Sequence, residues 1–478
     1  MLFNSLDFAI FLPVVFALYW LLNGKRLRWQ NILVVVASYL FYGWWDWRFL
    51  SLIAFSTAVD FIVGIQIARS DRRRTRLALL WVSVSVNLGF LGFFKYCNFF
   101  VENFAAAFTA FGADFSPGSL GIILPVGISF YTFQTLSYTI DIYRRKLEPT
   151  RDFITFAAFV SFFPQLVAGP IERATNLLPQ FQRRRKFDYG QAVDGLRQIL
   201  WGLFKKIVIA DQCAPHVNAI FNNWQDYSGS TLLLGAVLFA FQIYCDFSGY
   251  SDIAIGTSRL FGFDLRRNFA YPYFSRDIAE FWRRWHISLS TWFRDYVYIP
   301  LGGSRCGGGR KVRNIFIVFL LSGFWHGASW NFVAWGALHA LFFLPFLLTG
   351  RNRTHLGNVA EGRLLPSAQE LFGMACTFGL VVLAWVFFRA EDLGSAVAYI
   401  GTIFSASLLS IPQILPKKTI LLVIAFVLVE WVGRNDEHAL QRLFVSYPTP
   451  VRWGAYYLLV VAIIMWGGQQ QDFIYFQF

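Results

Sequence analysis

The stretch Ser322-Gly-Phe-Trp-His-Gly-Ala-Ser-Trp330 places a histidine, His326, inside an otherwise apolar part of the chain, with long apolar runs on both sides. An ionisable side chain within a membrane segment is costly and marks a functional site by default. The alternative is a core histidine that hydrogen-bonds between helices. Gly323 and Gly327 stand close to His326, so a substrate or a second helix can approach the backbone there.

The composition of the whole chain explains why these apolar runs indicate a membrane. Of the 478 residues, 56% are hydrophobic, 19% are aromatic and 15% are charged, and the mean hydropathy is +0.47. Soluble domains carry about 25% charged residues. A soluble chain of this composition would expose too much apolar surface, so the sequence predicts a polytopic integral membrane protein.

About a dozen hydrophobic segments approach the roughly 20 residues that a spanning helix needs. Several are shorter than that, which is typical of re-entrant or interfacial helices. We therefore expect an all-α fold of about 10–12 spanning or re-entrant helices plus interfacial helices, in one polytopic domain over residues 1–478. The segments are Phe8–Leu22, Asn31–Trp45, Phe49–Ala68, Leu77–Phe100, Leu120–Ile142, Phe153–Val167, Leu232–Phe247, Asn314–Trp325, Asn331–Leu348, Leu371–Phe388, Thr419–Val432 and Trp453–Trp466.

Two other stretches mix charges with apolar residues. Asp194–Asp211 contains Lys205 and Lys206 among Leu, Ile and Trp, which is typical of an amphipathic helix near the membrane interface. Tyr273–Gly303 alternates aromatic and charged residues. That pattern suits a helix that lies along the membrane surface or lines a cavity.

The formal net charge of +14 raises the possibility of nucleic-acid binding. However, the basic residues form short clusters between apolar runs, as the positive-inside rule predicts for cytoplasmic loops, and we therefore expect no nucleic acid. The five cysteines have no paired spacing, which indicates neither a disulfide framework nor a zinc site. The clusters lie at residues 25–28, 72–74, 144–146, 183–186, 310–313 and 417–418.

The other histidines differ in their surroundings. His286 belongs to the aromatic and charged stretch and could converge with His326 across a cavity, where a base with a pKa near 7 suits deprotonation of a hydroxyl. No spacing supports a metal site. His339 would lie about 220° around a continuous helix from His326, unless Gly327 or Asn331 breaks that helix, and is interpreted as structural or supporting. His355 and His438 are expected in solvated loops.

No other catalytic pattern occurs in the sequence: there is no GxSxG, Walker A or GxGxxG motif. The acids that need an explanation within apolar surroundings are Asp141, Asp246 and Asp252. We interpret them as structural, paired with an arginine such as Arg283 or Arg284, rather than as catalytic.

Several ordered motifs, spread from about residue 8 to residue 390, together resemble the membrane-bound O-acyltransferase (MBOAT) family. The resemblance is greatest to its bacterial polysaccharide-acetylating branch, whose members acetylate alginate, peptidoglycan or cellulose. The motifs within the core at roughly 120–390 are PVGISFYTFQ (125–134), FPQLVAGPIE (163–172), DFSGYSD (246–252), FWRRWHISLS (281–290), RDYVYIPLGG (294–303), GFWHGA (323–328) and WVFFRA (385–390).

This resemblance implies a funnel-shaped membrane fold in the bacterial inner membrane and an O-acetyltransferase activity on an exported polysaccharide such as alginate. It places the family's essential histidine on His326 and its second motif histidine on His286. It also implies a cytoplasmic acyl thioester donor, acetyl-coenzyme A first, with no bound cofactor or metal, and an extracytoplasmic partner of the SGNH-esterase type. Supporting residues are expected at Trp325, Arg283, Arg284, Trp285, Asp246, Ser248 and His339.

In the implied mechanism, His326 acts as general base on the acceptor hydroxyl, and His286 or a nearby donor orients the acceptor or stabilises the oxyanion. No sequence motif supports a covalent intermediate on Ser248 or Cys245. Two alternatives stay open: D-alanyl or other acyl transfer to a cell-wall polymer from a carrier-protein donor, and a transporter of lipid-linked sugars. The sequence does not identify the polymer.

Overall fold

The computed structural model describes residues 1–24, 26–110, 121–167, 169–468, 471 and 473–474, and among them it has helices and connecting segments but no β-strand. A helix satisfies its backbone hydrogen bonds within the segment, which the bilayer requires. The all-α prediction is confirmed. The predicted segment Leu120–Ile142 begins outside the described residues, and the basic cluster at 25–28 includes one such residue.

The described chain divides into two compact units. The first comprises residues 1–193 and 257–266, and the second comprises 194–256 and 267–478. The expectation of one domain over the whole chain stays a prediction. The helices that lie in the first unit are α1 (Leu6–Leu21), α2 (Leu27–Asp46), α3 (Leu50–Arg69), α4 (Arg73–Leu91), α5 (Cys97–Ala110), α6 (Ile128–Tyr143), α7 (Phe153–Ser161), α8 (Phe163–Leu166) and α9 (Ala174–Phe181).

Helices α10 and α12 begin in one unit and end in the other, and the remaining helices belong to the second. They are α10 (Tyr189–Leu203), α11 (Asp211–Asn222), α12 (Gly229–Leu260), α13 (Ile278–Arg284), α14 (Ile287–Phe293), α15 (Gly308–His326), α16 (Trp330–Leu348), α17 (Ala368–Arg389), α18 (Leu393–Ile403), α19 (Lys417–Val432) and α20 (Thr449–Trp466).

Six helical stretches of the described chain are long and apolar enough to cross a membrane. This finding supports the multi-pass prediction, and α1 and α18 are shorter apolar helices. The predicted segment Phe153–Val167 is interrupted at Phe162, where the backbone (φ −49°, ψ 105°) leaves the helical region between α7 and α8. The six stretches are Leu27–Arg69, Arg73–Ala110, Gly229–Leu260, Trp330–Leu348, Ala368–Arg389 and Thr449–Trp466.

A buried carboxyl group that the sequence interpretation overlooked lies in the first unit. Asp60 on α3 is fully buried and accepts hydrogen bonds from Ser83 Oγ (2.6 Å) and Asn87 Nδ2 (2.9 Å) on α4. Ser56 and Thr135 both donate to Asn87 Oδ1, at 2.8 and 3.1 Å. This network joins α3, α4 and α6 through neutral donors, which replace the water that a carboxyl group otherwise needs.

In the second unit, residues 194–211, which were expected to form an interfacial amphipathic helix, are packed inside the protein at Lys205 and Lys206. Helix α10 continues through a π-helical segment, Phe204–Ala210, into α11. Lys205 and Lys206 lie in that segment and are 3% and 1% exposed. The interfacial prediction is wrong for these two lysines, because their ammonium groups are buried in ion pairs with aspartates of α12.

Helices α15 and α16 form a tightly packed pair that ends next to His326. A Cβ atom added at Gly323 would overlap the backbone oxygen of Phe332, and one at Gly336 would overlap the backbone oxygen of Phe319. Such an added Cβ at Gly323 would also lie 3.3 Å from the Cα of Gly336. Small residues at a helix interface permit this backbone approach in membranes. The two glycines therefore set the distance between the helices.

We predict that Gly323→Ala destabilises the protein by about 1–3 kcal/mol, because a backbone atom cannot yield to the added methyl group as a side chain can. The measurement is the thermal unfolding midpoint of the purified protein in detergent. Gly379→Ala is the matched control, since Gly379 is exposed on α17 and has no atom within 4 Å of an added Cβ. Equal midpoints for the two variants would contradict the prediction.

Candidate active site

Three histidines of the second unit lie in one buried aromatic group. The ring centroids of His286 and Trp325 are 5.9 Å apart, and those of Trp325 and His326 are 4.9 Å apart. Trp335 packs on both His326 (5.1 Å) and His339 (4.8 Å). We call this group the histidine cluster. Its members are His286, Trp325, His326, Trp335, His339 and Phe388, whose ring lies 5.2 Å from that of His326.

His326 is the last residue of α15, and its side chain is 3% exposed. At this position the unsatisfied carbonyl groups of a helix carry a partial negative charge, which favours a positively charged side chain by about 0.3–1 kcal/mol or more. Gly327 then turns the chain away, and a Cβ added to it would overlap the ring of Phe332.

His286 is held by Asn268, a residue that the sequence interpretation missed. Asn268 Oδ1 accepts hydrogen bonds from the hydroxyl (2.9 Å) and the backbone N–H (3.3 Å) of Ser288. The amide orientation is therefore fixed, and the same oxygen lies 3.1 Å from Nδ1 of His286. Because Oδ1 only accepts, Nδ1 carries the proton and Nε2 keeps its lone pair. Asn268 follows two arginines and has no local spacing to His286 that would have predicted the contact.

The Nε2 atom of His286 is buried and has no hydrogen-bond partner among the described residues. The imidazole lies outside the candidate spanning helices, and burial lowers its pKa to about 3. The backbone of His286 is left-handed (φ 43°), which is uncommon for a residue other than glycine and costs about 1–3 kcal/mol. This strained, neutral histidine presents an acceptor atom within the histidine cluster.

His339 and His326 lie on different helices and pack on the same ring, that of Trp335. Helix α15 ends at His326 and α16 begins at Trp330, so the angle calculated for a continuous helix does not apply. The indole of Trp282 donates to Nδ1 of His339 at 3.3 Å, which places the ring proton on Nε2. His339 is 0% exposed. These contacts are those of a residue that holds Trp335 and Trp282 in place.

Of the other expected supporting residues, Trp285 is in the aromatic core and the two arginines are not. The ring of Trp285 lies 5.1 Å from that of Trp385. Arg283 donates to the backbone oxygens of Asn352 and His355, both at 2.6 Å. Arg284 pairs with Glu280 at 2.8 Å. The arginines thus fasten the chain that follows α16 and do not contact the histidine cluster.

The predicted pairing of Asp246 and Asp252 with Arg283 or Arg284 is wrong. Asp246 Oδ1 lies 2.8 Å from Lys206 Nζ, and Asp252 Oδ2 lies 2.6 Å from Lys205 Nζ. The periodicity of residues 194–211 is typical of an interfacial helix, and for that reason it gives no sign that these lysines pair with the aspartates. Ser248 is buried and accepts a hydrogen bond from Lys205 Nζ at 2.9 Å.

Lys206 is the centre of this buried ion network. Its Nζ also lies 2.8 Å from Asp211 Oδ1 and donates to the backbone oxygen of Gln471 at 3.0 Å. Asp246 Oδ2 accepts from the backbone N–H of Ile474 at 2.7 Å. The network therefore binds residues near the end of the chain to α12 and to the π-helical segment.

The same C-terminal residues approach the histidine cluster through aromatic contacts. The ring of Phe473 lies 4.4 Å from that of Tyr250 and 5.9 Å from that of Phe247. Phe247 in turn packs edge-on against His286, with 4.7 Å between the ring centroids. No sequence motif that we considered indicated this connection.

The two histidines expected in solvated loops have different surroundings. His355 is partly exposed and lies 3.8 Å from Asp277. His438 is 2% exposed, and its Nε2 lies 3.1 Å from Asp194 Oδ1. The solvated-loop prediction is wrong for His438, because α10 supplies a carboxylate to it. Among the described residues, no three His, Cys, Asp or Glu side chains could hold a metal ion.

The structure thus has helices long and apolar enough to cross a membrane and a buried histidine at a helix end, and the sequence comparison identifies the class. Residues 143–382 match the membrane-bound O-acyltransferase family. The chain belongs to this family. It is therefore an O-acyltransferase and a multi-pass protein of the bacterial inner membrane.

Curated relatives cover most of the chain. The probable alginate O-acetylase AlgI of Pseudomonas putida is 40% identical over 94% of this chain and 90% of its own length. The protein of the same name from Pseudomonas aeruginosa is 42% identical over 85% of this chain and 75% of its own. The peptidoglycan O-acetyltransferase of Helicobacter pylori is 36% identical over 83% and 78%, respectively.

We predict that Lys206→Met destabilises the protein by about 3–5 kcal/mol, because it leaves the carboxylates of Asp211 and Asp246 buried without their cation. Thermal unfolding in detergent measures this loss. Lys418→Met, at an exposed position on α19, is the control. Adding Asp211→Asn and Asp246→Asn to Lys206→Met should recover part of the loss. An unchanged midpoint for Lys206→Met would show that the network contributes little.

Proposed function

We propose that the chain transfers an acetyl group from a cytoplasmic acyl thioester, acetyl-coenzyme A, across the membrane toward an exported polysaccharide such as alginate. The observation that carries this proposal is the position of His326, buried at the C-terminal end of α15, with its ring and that of His286 both packed near the ring of Trp325. The relatives named as probable alginate O-acetylases support an acetyl group as the group transferred and a polysaccharide as the acceptor.

In the proposed step, His326 takes the proton of the acceptor hydroxyl while the oxygen attacks the thioester carbonyl. A C–O bond forms and the C–S bond breaks, and the proton passes from the imidazolium to the departing thiolate. The end of α15 stabilises the imidazolium while it exists. General base catalysis of this kind contributes about 10²–10⁴-fold to a rate.

His286 has a different role in this proposal. Nδ1 donates to Asn268, so the buried Nε2 accepts a hydrogen bond from the acceptor hydroxyl and thereby orients that hydroxyl. A neutral ring in this tautomer cannot donate to an oxyanion from Nε2. The indole N–H of Trp335 is a suitable donor for the carbonyl oxygen, because it is buried without a hydrogen-bond partner among the described residues and its ring packs on His326.

The acceptor lies on the far side of the membrane, so the proposal includes a partner. An extracytoplasmic protein of the SGNH-esterase type receives the acetyl group and completes the transfer to the polymer. Acetyl-coenzyme A enters as a co-substrate. The fold needs no bound cofactor for this reaction, because general base catalysis and hydrogen bonding supply the chemistry.

We predict that a chromosomal His326→Ala substitution abolishes O-acetylation of exported polysaccharide, because the base is lost. Protein level and polymer export should stay unchanged. Acetate released by alkali from the purified polymer is the measurement. His216→Ala is the control, since His216 is partly exposed on α11 and outside the histidine cluster. Normal acetylation in the His326 variant would refute the assignment, and loss of export with normal acetylation would favour a transporter.

The donor is tested with the purified protein in detergent. Wild-type protein should release coenzyme A slowly from acetyl-coenzyme A, and the His326→Ala variant should not. If neither releases coenzyme A while wild type alone cleaves an acylated carrier protein, the donor is a carrier-protein thioester and the acetyl-coenzyme A part of the proposal is wrong.

We predict that Asn268 acts as a positioning residue for His286, and that Asn268→Asp moves the acidic limb of the rate–pH profile to higher pH. A carboxylate beside the ring favours the imidazolium, which cannot accept a hydrogen bond at Nε2, so activity should fail at a higher pH than in wild type. The measurement is coenzyme A release from pH 5 to 9. Asn223→Asp, at an exposed site after α11, is the control. Superimposable profiles for wild type and Asn268→Asp would contradict the role.

A further inference from the structure

A polar cleft of about 550 Å³ lies in the first unit, and none of its lining residues belongs to the histidine cluster. It is bounded by the end of α3, the start of α4 and the segment that follows α6. Helix α3 ends a candidate spanning stretch at Arg69, and α4 begins the next at Arg73. The cleft is therefore at the level where the hydrocarbon of the bilayer gives way to phospholipid headgroups.

One wall of the cleft is a buried guanidinium group with an unused donor. Arg76 is 8% exposed. Its Nη2 donates to the backbone oxygens of Ile142 (3.1 Å) and Tyr143 (2.7 Å) at the end of α6. Its Nε is buried and has no hydrogen-bond partner among the described residues. A buried N–H of a charged group normally has an acceptor, so this guanidinium group keeps one hydrogen-bonding capacity unsatisfied among the described residues.

Three further arginines line the cleft: Arg69, Arg145 and Arg151. Neither Arg69 nor Arg151 has a hydrogen-bond or ion-pair partner among the described residues. Arg145 lies 3.6 Å from Asp71, but both side chains are exposed, 70% and 100%, and such a pair contributes little. The four arginines outnumber the two acids of the lining, Asp71 and Glu148.

Not all of the lining is charged. Ile65, Ala68, Ile142 and Leu147 supply apolar lining beside the arginines. Apolar surface next to arginines suits a molecule with a phosphate and a hydrocarbon part.

We propose that this cleft binds a phosphate ester, and that the headgroup of an anionic phospholipid is its source. Arginine is the side chain best matched to phosphate oxygens, because its planar group donates two parallel hydrogen bonds. Basic pockets at membrane-helix ends recognise acidic headgroups. A soluble phosphate compound presents the same chemistry, and the experiment below separates the two sources. The site does not take part in the acyl transfer proposed above.

The test compares the full-length protein with the variant Arg69→Gln/Arg145→Gln/Arg151→Gln in neutral detergent. Each is titrated with phosphatidylglycerol, with phosphatidylcholine and, at matched ionic strength, with sodium pyrophosphate. Tryptophan fluorescence gives the unfolding midpoint, and native mass spectrometry gives the number of bound lipids. Phosphatidylglycerol should raise the wild-type midpoint and leave one retained lipid, whereas the variant should need about tenfold more lipid or more. Phosphatidylcholine should have no effect.

The matched control is Arg28→Gln/Arg183→Gln/Arg184→Gln, which removes the same charge from exposed positions outside the cleft and should respond as wild type does. If the triple cleft variant misfolds, Arg151→Gln alone replaces it. An equal response of wild type and cleft variant to both probes would overturn the site. A pyrophosphate effect that matches the lipid effect and disappears in the cleft variant would overturn the lipid as its source.

Discussion

The contact between the backbones of α15 and α16 is the constraint on which the histidine cluster depends. Gly323 and Gly336 let each helix approach the carbonyl oxygens of the other. Trp335 precedes Gly336, and His326 follows Gly323 by less than one helical turn, so the same contact that sets the helix distance brings these two rings together. Side chains at the two glycine positions would separate the base from the indole.

Much of the fold could be predicted from sequence because the lipid bilayer restricts which backbone structures can span it. A bilayer admits long apolar helices and little else, so composition and the lengths of the apolar runs sufficed for an all-helical, multi-pass chain. Gly323 and Gly327 are local signals of a close approach next to His326, whereas the sequence left open whether Gly327 or Asn331 breaks the helix there. The broken segment at Phe162 was not predictable, because its residues are as apolar as those of a continuous span.

The partners of the buried charges could not be predicted from spacing. Lys205 and Lys206 stand in a stretch whose periodicity is that of a surface helix, and only the packing of distant segments encloses them with Asp246 and Asp252. Asn268 and His286 are 18 residues apart, with α13 between them, and His286 has a left-handed backbone conformation. Asp60 accepts hydrogen bonds from a hydroxyl and an amide group of another helix, α4. Each contact depends on tertiary structure, which a single sequence does not display.

The attachment of Ile474 to Asp246 has a consequence for the biogenesis of the protein. The two residues are 228 positions apart, and at about 5–20 residues per second a ribosome needs roughly 10–50 s to cover that interval. During this time Asp246 is held by Lys206, which was synthesised before it, while the N–H of Ile474 does not yet exist. The packing around Phe247 and His286 is therefore completed only after α20 has been synthesised.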